Sequence, residues 1–223
     1  GMEPFTAKER DILHVPPRLA GEIYAPDGAV LFLPDKHLGR NTGLQLGLGP
    51  GDWHVLRLSG KKGLADSERL PGSAATGRRL LLWPGCCAIH GRLRPESVQA
   101  ARAAHPGCRV LAHPECRPEL IGLCDGAGST SYLIKEAEKA AGKGGTLIIG
   151  TETNLVHRLR DRFAGRCRIE PLAPAICPDM AKITEENLLA CLQGVVAGTA
   201  PVMTLQDEQL APARASLTRM LQV

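Results

Sequence analysis

The chain has 223 residues, 43% of them hydrophobic but only 3% aromatic, and a formal net charge of +4. That length suits one ordinary domain or two small α/β layers whose core rests on Leu, Ala, Val and Ile. The scarcity of Phe, Tyr and Trp argues against a base-stacking nucleic-acid surface, the lack of a Lys/Arg block disfavours a polyanion partner, and no apolar run approaches the roughly 20 residues that span a bilayer.

Residues 1–28 carry Pro4, Pro16, Pro17 and Pro26 without a clear pattern and read as an irregular lead-in. Their start holds Glu3, Lys8, Glu9 and Arg10 and no apolar stretch, so no secretory signal is expected and a cytoplasmic location follows. Residues 29–33 (AVLFL) are a short apolar run closed by Pro34-Asp35, a buried-strand signal. Residues 41–78 are rich in Gly, Ser and charge and read as a long loop or insertion, with one short strand available around Val55, Leu56 and Leu58.

From residue 79 the pattern is regular. Strands are predicted at 79–83, 109–113, 146–150 and 168–172, and helices at 95–104, 118–124, 131–141, 154–163, 184–192 and 211–221. Pro95 sits in a first turn, where its missing N–H costs nothing. Asn154 and Thr184 are the expected N-caps of their helices, with Glu185 and Glu186 in the first turn after Thr184, where the helix dipole favours them. Apolar strands alternating with helices predict an α/β fold, with parallel sheets flanked by helices. The expected organisation is the lead-in at 1–28, an α/β unit at 29–112 with 41–78 inserted, and a second α/β unit at 113–223 ending in a helix. The residues show no clear repeat, although the successive strand–turn–helix units look alike in plan.

Ligands of open α/β sheets bind outside the carboxyl ends of the strands, so the residues following each strand carry the functional reading. Cys87 and His90 follow the first regular strand, His113-Pro114-Glu115-Cys116 the second, and Thr151-Glu152 the third. Gly128-Ser129-Thr130 opens a helix, where backbone N–H groups and two hydroxyls suit a carboxylate or phosphate, or act simply as an N-cap. Pro114 fixes its own φ and biases His113 toward an extended backbone, so that His113 and Glu115 point the same way, an arrangement suited to proton transfer. Glu152 and His157 are weaker candidates, and Glu152 equally serves to satisfy a helix N-terminus. Eight cysteines in a reducing compartment are not a disulfide framework. Each alone reads first as a small buried apolar residue, and beyond that as a metal ligand or nucleophile. No C-x-x-C pair is present, which disfavours a closed zinc site and a zinc hydrolase built on Cys87, His90 and His113, whereas iron–sulfur ligands are often far apart in sequence, as Cys87 and Cys177 are.

Taken in order, LFLPDKHLGR (31–40), LLWPGCCAIHGRL (81–93), VLAHPECRPEL (110–120), GSTSYLI (128–134), IIGTE (148–152), ICPDMAKITEENLLACL (176–192) and ARASLTRMLQ (213–222) resemble the quinolinate synthases. The resemblance implies related α/β units around a central 4Fe-4S cluster and condensation of iminoaspartate with dihydroxyacetone phosphate to quinolinate, in NAD biosynthesis. It implies L-aspartate oxidase or a dehydrogenase as the supplier of iminoaspartate. By the same resemblance Cys87 and Cys177 are two of three cluster ligands, His90 is an active-site histidine, His113 and Glu115 serve the proton transfers and dehydrations, and Ser129 and Thr130 hold a substrate carboxylate or phosphate. Cys116 belongs to the motif without being a ligand. Asp179 and Ala181 stand where the family usually has Asn and Lys. The family's first unit, with the remaining cluster cysteine, has no counterpart in the residues. The expectation is therefore a chain truncated at its N-terminus, with a non-enzymatic interaction module as the alternative.

Overall fold

The computed structural model describes residues 30–56, 58–59, 63–64 and 80–221. The lead-in at 1–28 and most of 57–79 lie outside the described residues. The chain divides after Ile176 into two compact units.

The first unit opens with β1 (Val30–Phe32), α1 (Lys36–Gln45) and β2 (Trp53–Val55), passes through the antiparallel pair β3 (Leu58–Ser59) and β4 (Gly63–Leu64), and reaches β5 (Leu80–Leu82). Strands β1, β5 and β2 form a parallel sheet in the order β1-β5-β2, with Val30 and Trp53 both opposite Leu80. Phe32, Leu80 and Leu82 are its buried core, and Leu38 and Trp53 pack against them.

Helix α1 corrects the reading of 41–78 as loop or insertion from its first residue. Its sequence carries Gly39 and Gly43, each costing about 1 kcal/mol of helix propensity, and that hides it. The helix is started instead by Asp35, whose Oδ1 accepts from the amides of His37 at 2.7 Å and Leu38 at 2.8 Å. Gly39 is there for packing, because a Cβ at that position would overlap the side chain of Leu82. The short strand also falls earlier than expected, at Trp53–Val55, with Leu56 buried after it and Leu58 beginning β3.

A second sheet follows: α2 (Pro95–Ala104), β6 (Arg109–Ala112), α3 (Pro118–Ile121), β7 (Gly126–Ala127), α4 (Thr130–Lys143), β8 (Thr146–Gly150), α5 (Thr153–Arg162) and β9 (Arg168–Pro171). Its order is β7-β6-β8-β9, parallel throughout. Leu111, Leu133, Ile149, Val156, Phe163 and Ile169 form one continuous core between sheet and helices. The α/β class is therefore the observed one. Helix α5 begins at Thr153 and its N-cap is Glu152, not Asn154 as expected; Glu152 accepts from the amides of Asn154 and Leu155. The sequence placed the cap two residues late because Asn is the stronger prior.

The second unit, described by itself, holds a 3-10 turn at Met180–Lys182, α6 (Glu185–Ala197) and α7 (Asp207–Met220). Thr184 caps α6 as expected, accepting from Asn187 N at 3.2 Å, with Glu185 and Glu186 in the first turn. None of the residues of α6 is buried. Among the described residues no helix is long and apolar enough to cross a membrane.

Candidate functional site

Four parallel strands of the two sheets deliver their chemistry at their carboxyl ends, as the architecture demands. Asp35 follows β1, Cys87 and His90 follow β5, His113 and Glu115 follow β6, and Thr151 follows β8. The first task of the site is to hold these loops still. Asp35 is 2% exposed; with Oδ1 engaged in capping α1, its Oδ2 accepts the amide of Cys87 at 2.7 Å. From the same helix Asn41 Nδ2 donates to the carbonyls of Pro114 and Cys116, both at 2.7 Å. Arg117 Nε closes the frame on Gly91 O at 2.9 Å. One buried carboxylate and one buried amide thus fix the cysteine turn and the His113–Cys116 turn to a common helix. Gly85 lets the cysteine turn pass close by, because a Cβ there would sit 2.5 Å from Pro34 O.

On that frame His90 lies between two partners. Its Nδ1 is 2.9 Å from Glu115 Oε2 and its Nε2 is 3.1 Å from Thr151 Oγ1. In the neutral ring, Nδ1–H donates to the carboxylate and Nε2 accepts from the hydroxyl. The His113 ring stacks on His90 with centroids 4.2 Å apart and planes 11° from parallel. The Glu115 amide donates to His113 Nδ1 at 3.3 Å, so the neutral ring carries its proton on Nε2. Burial, with the neighbouring His90 imidazole, pushes His113 down to about 4 against the pull of Glu115. Glu115 is held below the usual carboxylate range by the His90 hydrogen bond against the opposing effect of burial, with His113 and a hydrogen bond from Cys87 acting in the same direction as His90. At neutral pH the group is therefore a neutral donor imidazole, an ionised carboxylate and a second imidazole clamped between carboxylate and hydroxyl.

The structure brings Cys87, His90, His113 and Glu115 together: ligand atoms of Cys87, His90 and Glu115 lie within 4.8 Å of one another. Cys116 is buried, its thiol points at Gly150 O at 3.7 Å, and burial raises its pKa far above the ordinary thiol value. Ser129 and Thr130 stand at the start of α4, where the Ser129 hydroxyl accepts from Tyr132 N at 3.4 Å. Cys177 lies in the second compact unit, half-buried, with its carbonyl accepting from Ala181 N at 3.0 Å. Sequence reasoning missed the roles of Asp35, Asn41 and Thr151. Asp35 was readable as a helix N-cap had 36–45 been taken as a helix, and Thr151 was in view after β8 but its partner was not.

Comparison with known proteins decides the family. The family model described as quinolinate synthetase A protein matches residues 20–222. The chain belongs to the quinolinate synthase family. It is similar to the quinolinate synthase of Acidobacterium capsulatum, 36% identical over 204 residues covering 87% of this chain and 52% of that protein. It is 38% identical over 197 residues to that of Streptomyces coelicolor, covering 86% of this chain and 48% of the relative. With the enzyme of a Nocardioides species it shares 40% over 179 residues, 78% of this chain and 43% of the relative. The chain spans about half the length of the curated relatives it matches. The matched range spans both turns just described, LLWPGCCAIHGRL with Cys87 and His90 and VLAHPECRPEL with His113 and Glu115.

Proposed function

We propose that this chain carries part of the active site for quinolinate formation, the condensation and dehydration of iminoaspartate with dihydroxyacetone phosphate, dependent on a 4Fe-4S cluster. The observation that carries the reading is the stacked His90–His113 pair bridged by Glu115 and set one turn from Cys87.

The donor set fits a cluster in kind. Cys87 and Cys177 are half-buried cysteines outside any disulfide, each at the head of a hydrogen-bonded turn, and thiolates are what iron–sulfur clusters require. Cys87 and Cys177 would hold it together with a thiolate from elsewhere. Bound there, an iron with an open position supplies a Lewis acid for a substrate oxygen.

The remaining chemistry belongs to the side chains. His113, neutral with its proton on Nε2, donates to oxygen where negative charge develops. Glu115, ionised, orients His90 and receives its proton. Thr151 completes a relay from Nε2 of His90. Ser129 and Thr130, at the N-terminus of α4, orient a substrate carboxylate or phosphate. On this reading the chain works in the cytoplasm in NAD biosynthesis, beside an L-aspartate oxidase or dehydrogenase that supplies iminoaspartate. A non-enzymatic module is not favoured, because the acid–base groups and the thiol keep hydrogen-bonding reach of one another.

The test is anaerobic reconstitution of the chain with iron and sulfide, followed by iron counting and a visible spectrum, on wild type and on the Cys87→Ser and Cys177→Ser variants. About four irons per chain, lost in both variants, is the expected result. Iron uptake that survives either substitution, or none in the wild-type chain, overturns the assignment.

A further inference from the structure

The same turns present a second, smaller metal chemistry. Cys87 offers a thiol, His90 an imidazole and Glu115 a carboxylate, with their ligand atoms all within 4.8 Å of one another. The Nδ1 of His90 lies 2.9 Å from Glu115 Oε2, and the Cys87 thiol stands within 4.8 Å of both. Deprotonation of the thiol and of Nδ1 frees one sulfur, one nitrogen and one oxygen donor within 4.8 Å of one another. Metal–ligand bonds of about 2.0–2.3 Å put neighbouring ligands of a tetrahedron roughly 3.3–3.8 Å apart. Rotation of the half-buried Cys87 and Glu115 side chains would bring the three donors, now 2.9 Å apart at His90–Glu115 and within 4.8 Å overall, into that range.

The surroundings are those a single ion needs. A ligating histidine donates its second ring N–H to an oxygen that fixes its orientation. His90 Nε2 already faces Thr151 Oγ1 at 3.1 Å, and a hydroxyl accepts as readily as it donates, so the ring changes tautomer without losing a partner. Asp35 pins the Cys87 backbone. One thiolate and one carboxylate neutralise a dication. A site with three protein ligands and an open fourth position does not need the paired C-x-x-C spacing of a closed zinc centre, which is why its members, on two different turns, were invisible as a motif.

We infer that Cys87, His90 and Glu115 form a binding site for one divalent cation of the zinc class, and that this site excludes an iron–sulfur cluster because both use Cys87. The exclusion rests on the function proposed above; the site itself does not. Thr151 is a positioning residue for it, acting through His90.

The probe is anaerobic titration of the metal-free full chain with Co2+, then displacement by Zn2+, read by the visible d–d bands of tetrahedral cobalt and the near-ultraviolet sulfur-to-cobalt charge-transfer band. Wild type is expected to take one equivalent with both signatures. Cys87→Ser abolishes the charge-transfer band, and Glu115→Gln and His90→Gln weaken binding and move the d–d bands. Thr151→Ala weakens binding about 10- to 100-fold, and Cys177→Ser changes nothing. Far-ultraviolet circular dichroism identifies any variant that fails to fold, and the conservative Glu115→Gln then decides. No charge-transfer band in wild type, or cobalt spectra indifferent to His90 and Glu115, overturns the site. Zinc-loaded chain that still takes up its full iron overturns the exclusion. Cobalt bound as described in a chain that assembles no cluster would sink the proposed function and leave this site standing; a cluster assembled in a chain that ignores cobalt would do the reverse.

Discussion

The chain makes the same cysteine turn twice. The carbonyl of Cys87 accepts from Gly91 N at 2.9 Å and that of Cys177 from Ala181 N at 3.0 Å. Each cysteine is followed three residues on by a 3-10 turn, His90–Arg92 or Met180–Lys182, and eight residues on by a helix, starting at Pro95 or Glu185. The N-caps, Arg94 and Thr184, occupy the same place in both. What differs is the company. The first turn is buried at Ile89, His90, Gly91 and Leu93, whereas the second is exposed from Pro178 onward. The backbone module therefore presents a cysteine without creating chemistry. At the position three beyond the cysteine the first turn has His90, which Glu115 and Thr151 engage, and the second has Met180, which has no proton to move.

The sharpest way to break this comparison is at the sixth position after each cysteine. Leu93 is 3% exposed and Ile183 is 73% exposed. Leu93→Ala is expected to cost about 2–5 kcal/mol, as deletion of a buried leucine does. Ile183→Ala is expected to stay within about 0.5 kcal/mol. Urea denaturation, comparing midpoints at constant slope, reads both. Equal effects would mean that the two turns do not differ in packing.

A smaller effect separates the turns by their anchors. Asp35 uses both carboxylate oxygens, one on α1 and one on Cys87 N. Asp35→Asn keeps the shape but replaces one acceptor by a donor, leaving a buried N–H without a partner, at about 1–3 kcal/mol. The corresponding charge beside the second turn, Asp179, pairs with Lys182 at 2.6 Å with both side chains exposed, and Asp179→Asn is expected to cost less than about 1 kcal/mol. Thermal melts measure stability. Cobalt uptake then measures whether the Asp35 variant has also loosened Cys87.

Much of this was legible in the residues. The α/β class and the core strands follow from apolar runs bounded by turn residues, and the strand at Thr146–Gly150 and the helix at Pro95–Ala104 fall where the pattern puts them. Helix α1 was not legible, because Gly39 and Gly43 lower its propensity, and the packing that requires Gly39, where a Cβ would overlap Leu82, is visible only in the structure. The site residues stood out by type and place after strands. Their pairing did not, since Glu115 reaches back across 25 positions to His90 and Thr151 lies 61 positions further along. The repeat of the cysteine turn was hidden because the residues it repeats are spacings of hydrogen bonds, not identities. Only Cys87/Cys177 is shared among the first four positions, since Ala88-Ile89-His90 faces Pro178-Asp179-Met180.

Acid sensitivity is expected to come from the packed unit alone. Glu136 is buried, and although burial raises its pKa, hydrogen bonds from Lys139 at 2.7 Å and Arg109 at 2.8 Å outweigh that and hold it below its ordinary value of 4.5. A carboxylate with a depressed folded pKa adds stability that is fully present above its unfolded pKa and is lost as pH falls through the folded one. Both cations are about half-exposed, so the contribution is on the order of 1 kcal/mol. Glu136→Gln is expected to lower stability at neutral pH, with the gap to wild type closing as pH drops below about 4.5. A gap that widens in acid would refute the assignment. Among the described residues of the second unit, Asp179, Glu185, Glu186, Asp207 and Glu208 are all exposed, and neutralising any of them is expected to leave the acid limb in place.

The faintest contrast lies at the caps, and there the exposed turn is the better built. Thr184 accepts from Asn187 N at 3.2 Å, while Arg94 makes no side-chain cap bond. Removing a threonine cap costs about 0.5–2 kcal/mol of helix stability. Because α6 buries none of its residues, that loss is felt as local opening rather than global unfolding. Thr184→Ala is therefore expected to speed hydrogen exchange at the first amides of α6 by roughly fivefold, the equivalent of about 1 kcal/mol, with the urea midpoint unmoved. Arg94→Ala, which removes no cap, is expected to leave exchange in α2 unchanged, because that helix is held by buried Val98 and by Pro95 at its first position. If Arg94→Ala opens α2 as much as Thr184→Ala opens α6, the helix after the first cysteine depends on its local sequence as well, and its rigidity cannot be credited to packing.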